Sequence, residues 1–158
     1  MGEIQTAVHA FWLLRKDKMK TVLAGLASAA LVFVPSARAD VPGLGPFVGT
    51  WQQHDARLVI DNTGTGVDTY PDIGVCPSCS EGDAPRGTLT FTLISVADGV
   101  AIGSVTASSD PGNHGVGDPV TATLTAGSPG QLLQITVGGM QQLPFCDSTA
   151  EATGQCGA

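Results

Sequence analysis

Short runs of alternating apolar and polar residues recur along most of this 158-residue chain. Every second side chain is apolar in Thr88-Leu89-Thr90-Phe91-Thr92-Leu93 and again in Val120-Thr121-Ala122-Thr123-Leu124-Thr125. A period of two is that of a β-strand with one buried face, whereas an amphipathic helix repeats about every 3.6 residues. No amphipathic helix of useful length is predicted after residue 40. The sequence therefore predicts an all-β domain.

Turn-forming residues separate these runs, as in Asn62-Thr63-Gly64-Thr65, Ala97-Asp98-Gly99 and Ala126-Gly127-Ser128-Pro129-Gly130. Consecutive hairpins of this kind make an up-and-down meander, here of seven or eight strands. Such a meander protects its edges best by closing into a small antiparallel barrel. A two-layer β-sandwich is the alternative, because periodicity alone does not separate the two architectures.

Three finer expectations concern individual strands. After the turn at residues 97–99, Val100 and Ile102 are predicted to face the core, and because Val105 is out of phase with them we expect a β-bulge near Gly103. Residues 141–145 are expected to close the sheet. Residues 147–155 show no apolar face to bury.

Residues 1–39 have the three parts of a secretory signal peptide. A basic stretch at residues 15–20 precedes an apolar run at 21–34, which is shorter than the roughly 20 residues that span a bilayer. The exit Ala37-Arg38-Ala39 offers the small residues that signal peptidase accepts. We expect cleavage after Ala39, a true start at Met19, and one secreted domain at residues 40–158 with no membrane span.

The charge of the expected mature domain is strongly negative. Cleavage leaves Arg57 and Arg86 as the basic residues against twelve acidic ones, a formal charge of −10 with no lysine. Binding to nucleic acid or to anionic lipid depends on positive patches, so the composition excludes nucleic acid as a partner. Acidity of this kind is typical of a soluble extracellular protein, and we expect a monomer.

Four cysteines, Cys76, Cys79, Cys146 and Cys156, form an even set in a chain expected to be secreted, so two disulfides are predicted. Local pairing of Cys76 with Cys79 and of Cys146 with Cys156 is slightly favoured over longer loops, since each pair brackets a loop with little core. Cys76-Pro77-Ser78-Cys79 has the spacing of a thiol oxidoreductase motif, but no predicted helix follows it to activate a thiol. A second C-x-x-C for a zinc site is missing.

Two resemblances enter at the first strand. Phe47-Val48-Gly49-Thr50-Trp51 is similar to the G-x-W opening of lipocalins and other calycin barrels, which implies a tryptophan that plugs the closed end of a barrel. A longer pattern resembles a group of small secreted actinobacterial proteins of unknown function, which implies a secreted, disulfide-bearing β domain. It comprises Trp51, His54, Leu58, Ile60, Gly64, Gly66 and Tyr70, with the ending Cys156-Gly157-Ala158.

Candidate ligand-binding residues are Trp51, His54, Arg57 and Tyr70, which lie in or next to that pattern. No catalytic constellation is present, because no G-x-S-x-G elbow accompanies the histidines. The aspartates include Asp61, Asp68, Asp72, Asp110 and Asp118, but their spacing does not match an EF-hand calcium loop. We therefore expect no metal and no cofactor.

The favoured hypothesis for function is a secreted, non-enzymatic β-barrel that binds a small ligand or a cell-envelope component, with the loop at residues 70–87 near one mouth. Barrels of about eight strands can hold one small ligand. A protein-interaction or inhibitor module that acts through disulfide-tied loops is the alternative. A hydrolase that uses His54 or His114 is the third hypothesis.

Overall fold

Nine β-strands account for about half of the chain that this computed structural model describes, residues 40–80 and 82–156. The described residues belong to one compact unit, Ser36–Ala158. The predicted signal peptide, residues 1–39, lies outside them. The strands are β1 Gly49–Gln53, β2 Ala56–Ile60, β3 Thr65–Pro71, β4 Arg86–Ala97, β5 Val100–Ser108, β6 Pro119–Ala126, β7 Gln131–Val137, β8 Met140–Gln141 and β9 Phe145–Cys146.

Eight of these strands form a closed antiparallel barrel, which confirms the predicted barrel rather than a sandwich. Each strand from β1 to β7 pairs with the next one in the chain. The two-residue strand β9 then pairs with both β7 and β1 and completes the ring. The remaining strand, β8, lies outside the ring and pairs with the far end of β7. Closure therefore depends on a very short strand.

The two ends of the barrel differ in the loops that connect the strands there. We call the end with residues 54–55, 72–85, 109–118 and 138–139 the open end. The opposite end, where the 3₁₀ turn Gly45–Phe47 precedes β1, is the closed end. No helix in the described ranges is long and apolar enough to cross a membrane.

One continuous cluster of apolar side chains fills most of the interior. At the closed end Leu44 and Phe47, each 2% exposed, pack with Trp51, whose Nε1 donates a hydrogen bond to the Phe47 carbonyl oxygen at 3.0 Å. Further along, the Phe91 ring lies over Gly66, where an added Cβ would come within 2.3 Å of the ring. The barrel is thus packed by its own side chains through most of its length.

The bulge expected near Gly103 is present, but the faces around it differ from the prediction. Leu93 pairs with Gly103 and Ser95 with Ile102, so the additional residue is Ile94 of β4. Backbone from β4 passes so close to Gly103 that an added Cβ would overlap it. Ala101 and Val105 face the core, whereas Ile102 is 44% exposed. The sequence prediction placed Ile102 inside because it ranked positions by side-chain hydrophobicity alone.

The C-terminal segment packs against the outside of the barrel. Asp147 caps the four-residue helix α1 Ser148–Glu151 by accepting hydrogen bonds from the backbone N–H groups of Thr149 and Ala150. Ala150 is fully buried, so this segment does bury an apolar contact, contrary to the sequence prediction. The disulfide Cys146–Cys156 ties the segment back to β9.

The second disulfide, Cys76–Cys79, lies within the loop at residues 72–85. The two bonds are the local pairs that the sequence favours over longer loops, and all four cysteines are used.

Candidate functional site

A cavity of about 390 Å³ lies at the open end and is partly open to solvent. This volume falls at the small end of the range of about 300–1,000 Å³ that is usual for ligand sites. Eight of its ten lining residues carry a polar side-chain group, and they come from β1, β3 and β8, the segment next to β8 and the loop at residues 109–118. The lining residues are Gln53, Asp68, Tyr70, Leu89, Asp110, Asn113, His114, Met140, Gln141 and Gln142.

Strand alternation places Asp68 and Tyr70 in this cavity. Successive side chains of a strand point to opposite faces, so Gly66, Asp68 and Tyr70 share the inner face of β3. Gly66 pairs with Phe91 in the packed core, and Asp68 pairs with Leu89 one step nearer the open end. The inner face of β3 therefore contacts the packed core at Gly66 and lines the cavity from Asp68 onward.

The loop at residues 109–118 holds His114 by its own hydrogen bonds. The Asp110 carbonyl oxygen accepts from the His114 backbone N–H at 3.0 Å, and Asp110 Oδ2 accepts from Asn113 Nδ2 at 2.6 Å. Further along, Asp118 Oδ2 accepts from the Gly115 backbone N–H at 2.7 Å. A loop tied by such local bonds presents His114 to the cavity in a defined place.

The remaining side of the cavity, between β1 and β7, forms because β9 is short. Its pairing with β1 is confined to Gln52 and Cys146, and β8 pairs with β7 rather than with β1. Residues 140–142 instead stay against β7, where Gln142 donates its backbone N–H to the Ile135 carbonyl oxygen at 2.9 Å. Toward the open end, β1 and β7 therefore have no strand paired between them among the described residues. Gln53 and Gln141 line the gap that remains.

Three buried side-chain atoms have no hydrogen-bond partner within residues 40–80 and 82–156, and all three belong to cavity residues. They are Asp68 Oδ1, Tyr70 Oη and His114 Nδ1. An unpaired buried polar atom costs about 1–3 kcal/mol, so such atoms are uncommon in folded proteins and call for an explanation. Their coincidence in one cavity means that water or a bound molecule at this place finds hydrogen-bonding groups that the described protein residues leave unused.

Burial also changes the acidity of Asp68. Loss of water around the carboxyl group raises its pKa to about 7 from the ordinary 3.8, and a hydrogen bond with the Thr69 backbone offsets this only in part. Neither lysine nor arginine lines the cavity to favour the charged form. Perturbed carboxyl groups in clefts are typical of functional sites.

The residues that sequence reasoning selected lie in different places. Trp51 is in the core, 3% exposed. His54 is at the exposed β1–β2 turn with a positive φ of 41°, and its Nε2 is 3.9 Å from Asp55 Oδ2. Arg57 faces outward and donates from Nη2 to Thr50 Oγ1 at 3.4 Å. Of these four, Tyr70 is the residue that lines the cavity.

From the sequence, Asp68 is a candidate calcium ligand and His114 a candidate metal ligand or general base, and nothing in the pattern indicates the glutamines. A signal for Asp68 exists in the strand period, since it shares a face with Gly66 and Tyr70. Among the described residues, no group of three or more His, Cys, Asp or Glu side chains is arranged to hold a metal ion.

The fold and the cavity define a closed eight-stranded β-barrel with a packed interior and a polar site at one mouth. Comparison of the chain with protein-family models, with curated proteins and with solved structures gives no match. The function is therefore argued from the site itself.

Proposed function

We propose that this protein is a secreted, non-enzymatic barrel that binds a small polar molecule in the open-end cavity. The observation that supports the proposal is the location of Asp68 Oδ1, Tyr70 Oη and His114 Nδ1, which are buried, unpartnered and in one cavity. A ligand that pairs these atoms makes use of hydrogen-bonding groups that the protein does not satisfy itself.

The filled interior narrows the earlier expectation of a ligand inside the barrel. Side chains of the core cluster occupy the space that a long apolar ligand would need. A compact molecule with several hydrogen-bonding groups fits the mouth, where Leu89 and Met140 offer limited apolar contact beside the polar lining. The proposed ligand is thus small and polar rather than a lipid chain.

A binding screen with a blocked cavity tests this proposal. Thermal shift and isothermal calorimetry against sugars, amines, amino acids and nucleosides are expected to identify binders. The variant Gln141→Trp places a large side chain at the cavity rim and is expected to abolish binding. The matched change Gln131→Trp, at an exposed position on β7 away from the cavity, is expected to preserve it. Equal binding by both variants would contradict the proposal.

Histidine variants separate the cavity from the sequence-based candidates. The change His114→Asn is expected to weaken binding about tenfold, because one hydrogen bond in a buried site contributes about 1–1.5 kcal/mol. The same change at His54, which lies outside the cavity lining, is expected to have no effect. If His54→Asn weakens binding and His114→Asn does not, the binding site lies at the β1–β2 turn and not in the cavity.

A protein-interaction module is the second candidate, and it is favoured by apolar side chains around the open end. Val75, Val116 and Leu143 are 69%, 72% and 73% exposed, and each belongs to a connection near the cavity. Replacing all three with serine should abolish association with an extracellular partner and leave small-molecule binding intact. The reverse result would exclude this role.

Hydrolysis by His114 is the third candidate. The cavity lining contains no serine, threonine or cysteine, so the nucleophile would be water or one of the aspartate, histidine or tyrosine side chains there. Turnover that survives His114→Ala would exclude this candidate.

A further inference from the structure

We infer that the ligand of the open-end cavity is a small organic cation whose ammonium group binds against Asp68. This inference rests on the ligand-binding role proposed above and adds the chemical class of the ligand. It is carried by the charges that surround the cavity and by the kind of atom left unpartnered in it.

Charge around the cavity has one sign. Asp68 and Asp110 contribute carboxyl groups, and neither lysine nor arginine is among the lining residues. Both arginines of the domain are engaged elsewhere, Arg57 with Thr50 and Arg86 with the Asp55 carbonyl oxygen. A cationic ligand supplies the counter-charge that the protein itself does not provide, and an anion would be repelled.

The hydrogen-bonding capacity of an ammonium group matches the unpartnered atoms. A carboxylate oxygen, a phenol oxygen and a neutral imidazole nitrogen can each accept a hydrogen bond. Asp68 Oδ1 and Tyr70 Oη are of the first two types, and His114 Nδ1 accepts in the tautomer that carries its proton on Nε2. A primary ammonium group carries three N–H donors and no acceptor. A neutral polyol could also pair these atoms, but it would gain no attraction from the ionised form of Asp68.

The lining also suits the rest of such a molecule. Tyr70 offers an aromatic ring, and a cation close to an aromatic face gains about 0.5–2 kcal/mol. Leu89 and Met140 can contact a short carbon skeleton, and the amide groups of Gln53 and Gln142 can bond to hydroxyl groups on it. The cavity volume limits the ligand to a small amine or amino sugar.

The raised pKa of Asp68, about 7, gives the interaction a pH dependence. A bound ammonium group favours the ionised carboxyl, so binding below about pH 7 must release a proton and is weaker there. Affinity should therefore rise between about pH 5 and pH 8. Other titratable groups at the cavity are Tyr70 on the same strand and Asp110 and His114 on the loop, while β1, β4 and residues 140–142 contribute none.

Two matched sets of probes test the inference by calorimetry on the purified protein. One set is tyramine, tyrosol and 4-hydroxyphenylacetate, and the other is glucosamine, glucose and glucuronate. Each set offers the same scaffold with an amine, a neutral or an acidic group. In at least one set the amine is expected to bind ten- to a hundredfold more tightly than its neutral partner, the usual advantage of a charge-assisted hydrogen bond.

Variants connect that preference to Asp68. Asp68→Asn keeps the shape of the side chain and is expected to bring the amine to the affinity of its neutral partner. Asp98→Asn, an exposed aspartate at the β4–β5 turn, is expected to leave it unchanged. The pH dependence of amine binding should disappear in Asp68→Asn and persist in His114→Asn.

The possible failures are distinguishable. A neutral or acidic probe that binds at least as tightly as its amine, and is blocked by Gln141→Trp, overturns the cationic ligand and retains the cavity as a binding site. Amine preference that persists in Asp68→Asn also overturns the inference. If none of the six probes binds, the inference fails, and the broader screen then decides the proposed function separately.

Discussion

At the scale of single residues, Asp68 is the position where folding and the proposed function oppose each other. Its neighbours in the ladder are Leu58 and Leu89, and the next inner position toward the closed end is Gly66 beneath the Phe91 ring. An apolar residue would pack there without leaving an unpartnered atom. The carboxyl group is thus a cost to stability that ligand binding can offset.

Asp68→Asn is expected to change how stability depends on pH. The unfolded chain releases this proton at its ordinary pKa of 3.8, whereas the folded protein keeps it until about pH 7. Stability from the protonated group is therefore fully present below about pH 4 and is lost as pH rises to about 7, at about 1.4 kcal/mol per pH unit. Asp68→Asn has no such proton to lose. The difference in melting temperature between the variant and the parent should therefore increase in favour of the variant from about pH 4 to about pH 7.

Thermal unfolding followed by circular dichroism between about pH 4 and pH 8 measures the difference. Asp98→Asn serves as the control, since that aspartate is exposed and its variant should follow the parent curve. Parallel curves for the parent and Asp68→Asn would show that Asp68 is ionised in the folded protein throughout.

The strand period groups Asp68 with Gly66 and Tyr70, but the sequence alone does not show that this face of β3 points inward. Val67 is the one aliphatic residue in 65–70. A prediction from hydrophobicity therefore places the face of β3 that contains Val67 inside the barrel, and this is wrong. The structure leaves Val67 39% exposed because the inner face at this level is occupied by the Phe91 ring over Gly66. Which face of β3 lines the cavity depends on the packing of the neighbouring strand β4. The periodicity of β3 alone contains no information about that packing.

At the scale of elements, the two disulfides are expected to differ in importance. Closing a loop in the unfolded chain gives roughly 3 kcal/mol for Cys146–Cys156, with a sequence separation of 10, and roughly 2 for Cys76–Cys79, with a separation of 3. The former also holds α1 against the barrel, where the Cys156 carbonyl oxygen accepts from the His54 backbone N–H at 2.9 Å.

Paired alanine variants measure this difference by chemical denaturation. Cys146→Ala with Cys156→Ala is expected to lower the free energy of unfolding more than Cys76→Ala with Cys79→Ala does. Each double variant is the control for the other, because both remove two cysteines. A larger loss on removing Cys76–Cys79 would mean that the loop at residues 72–85 contributes more to stability than its local hydrogen bonds suggest.

Strands and turns were largely predictable from the sequence, since alternation and turn residues act locally. The hairpins at residues 61–64, 97–99 and 126–130 lie where the pattern places them. The faces of β5 were not predictable from hydrophobicity, because the small residues Ala101 and Gly103 share the inner face with Val105 and simple alternation then turns Ile102 outward. Close backbone approach at Gly103 is a property of two strands together.

At the scale of the whole molecule, the ring of strands is completed by two residues. Phe145 pairs with Leu133 of β7, and Cys146 pairs with both Leu132 and Gln52. The sequence indicated that a last short run would close the sheet. That this closure would be too short to seal the seam, and would thereby leave a cavity, depends on where residues 140–144 leave β7 and is not encoded in any local pattern.

Phe145→Ala is expected to loosen this closure. The side chain is 1% exposed, and removal of a buried phenylalanine costs roughly 3 to 5 kcal/mol. Hydrogen exchange should show earlier loss of protection in β1 and β7 than in β3 and β4, which are paired on both sides throughout the barrel wall. Leu143→Ala, two residues earlier and 73% exposed, is the control and should leave exchange unchanged. Uniform loss of protection would indicate that the barrel opens as a single unit.

Packing at one end and a cavity at the other separate the residues that stabilise the fold from those of the proposed binding site along the barrel axis. Leu44, Phe47 and Trp51 stabilise the fold from a region that a ligand at the mouth does not touch. Rim positions such as Asn113 and Gln141 are exposed, so their substitution leaves the core cluster intact. Specificity can therefore diversify by mutation at the rim at little cost to folding, which makes this barrel a suitable starting point for selecting binders of other small molecules.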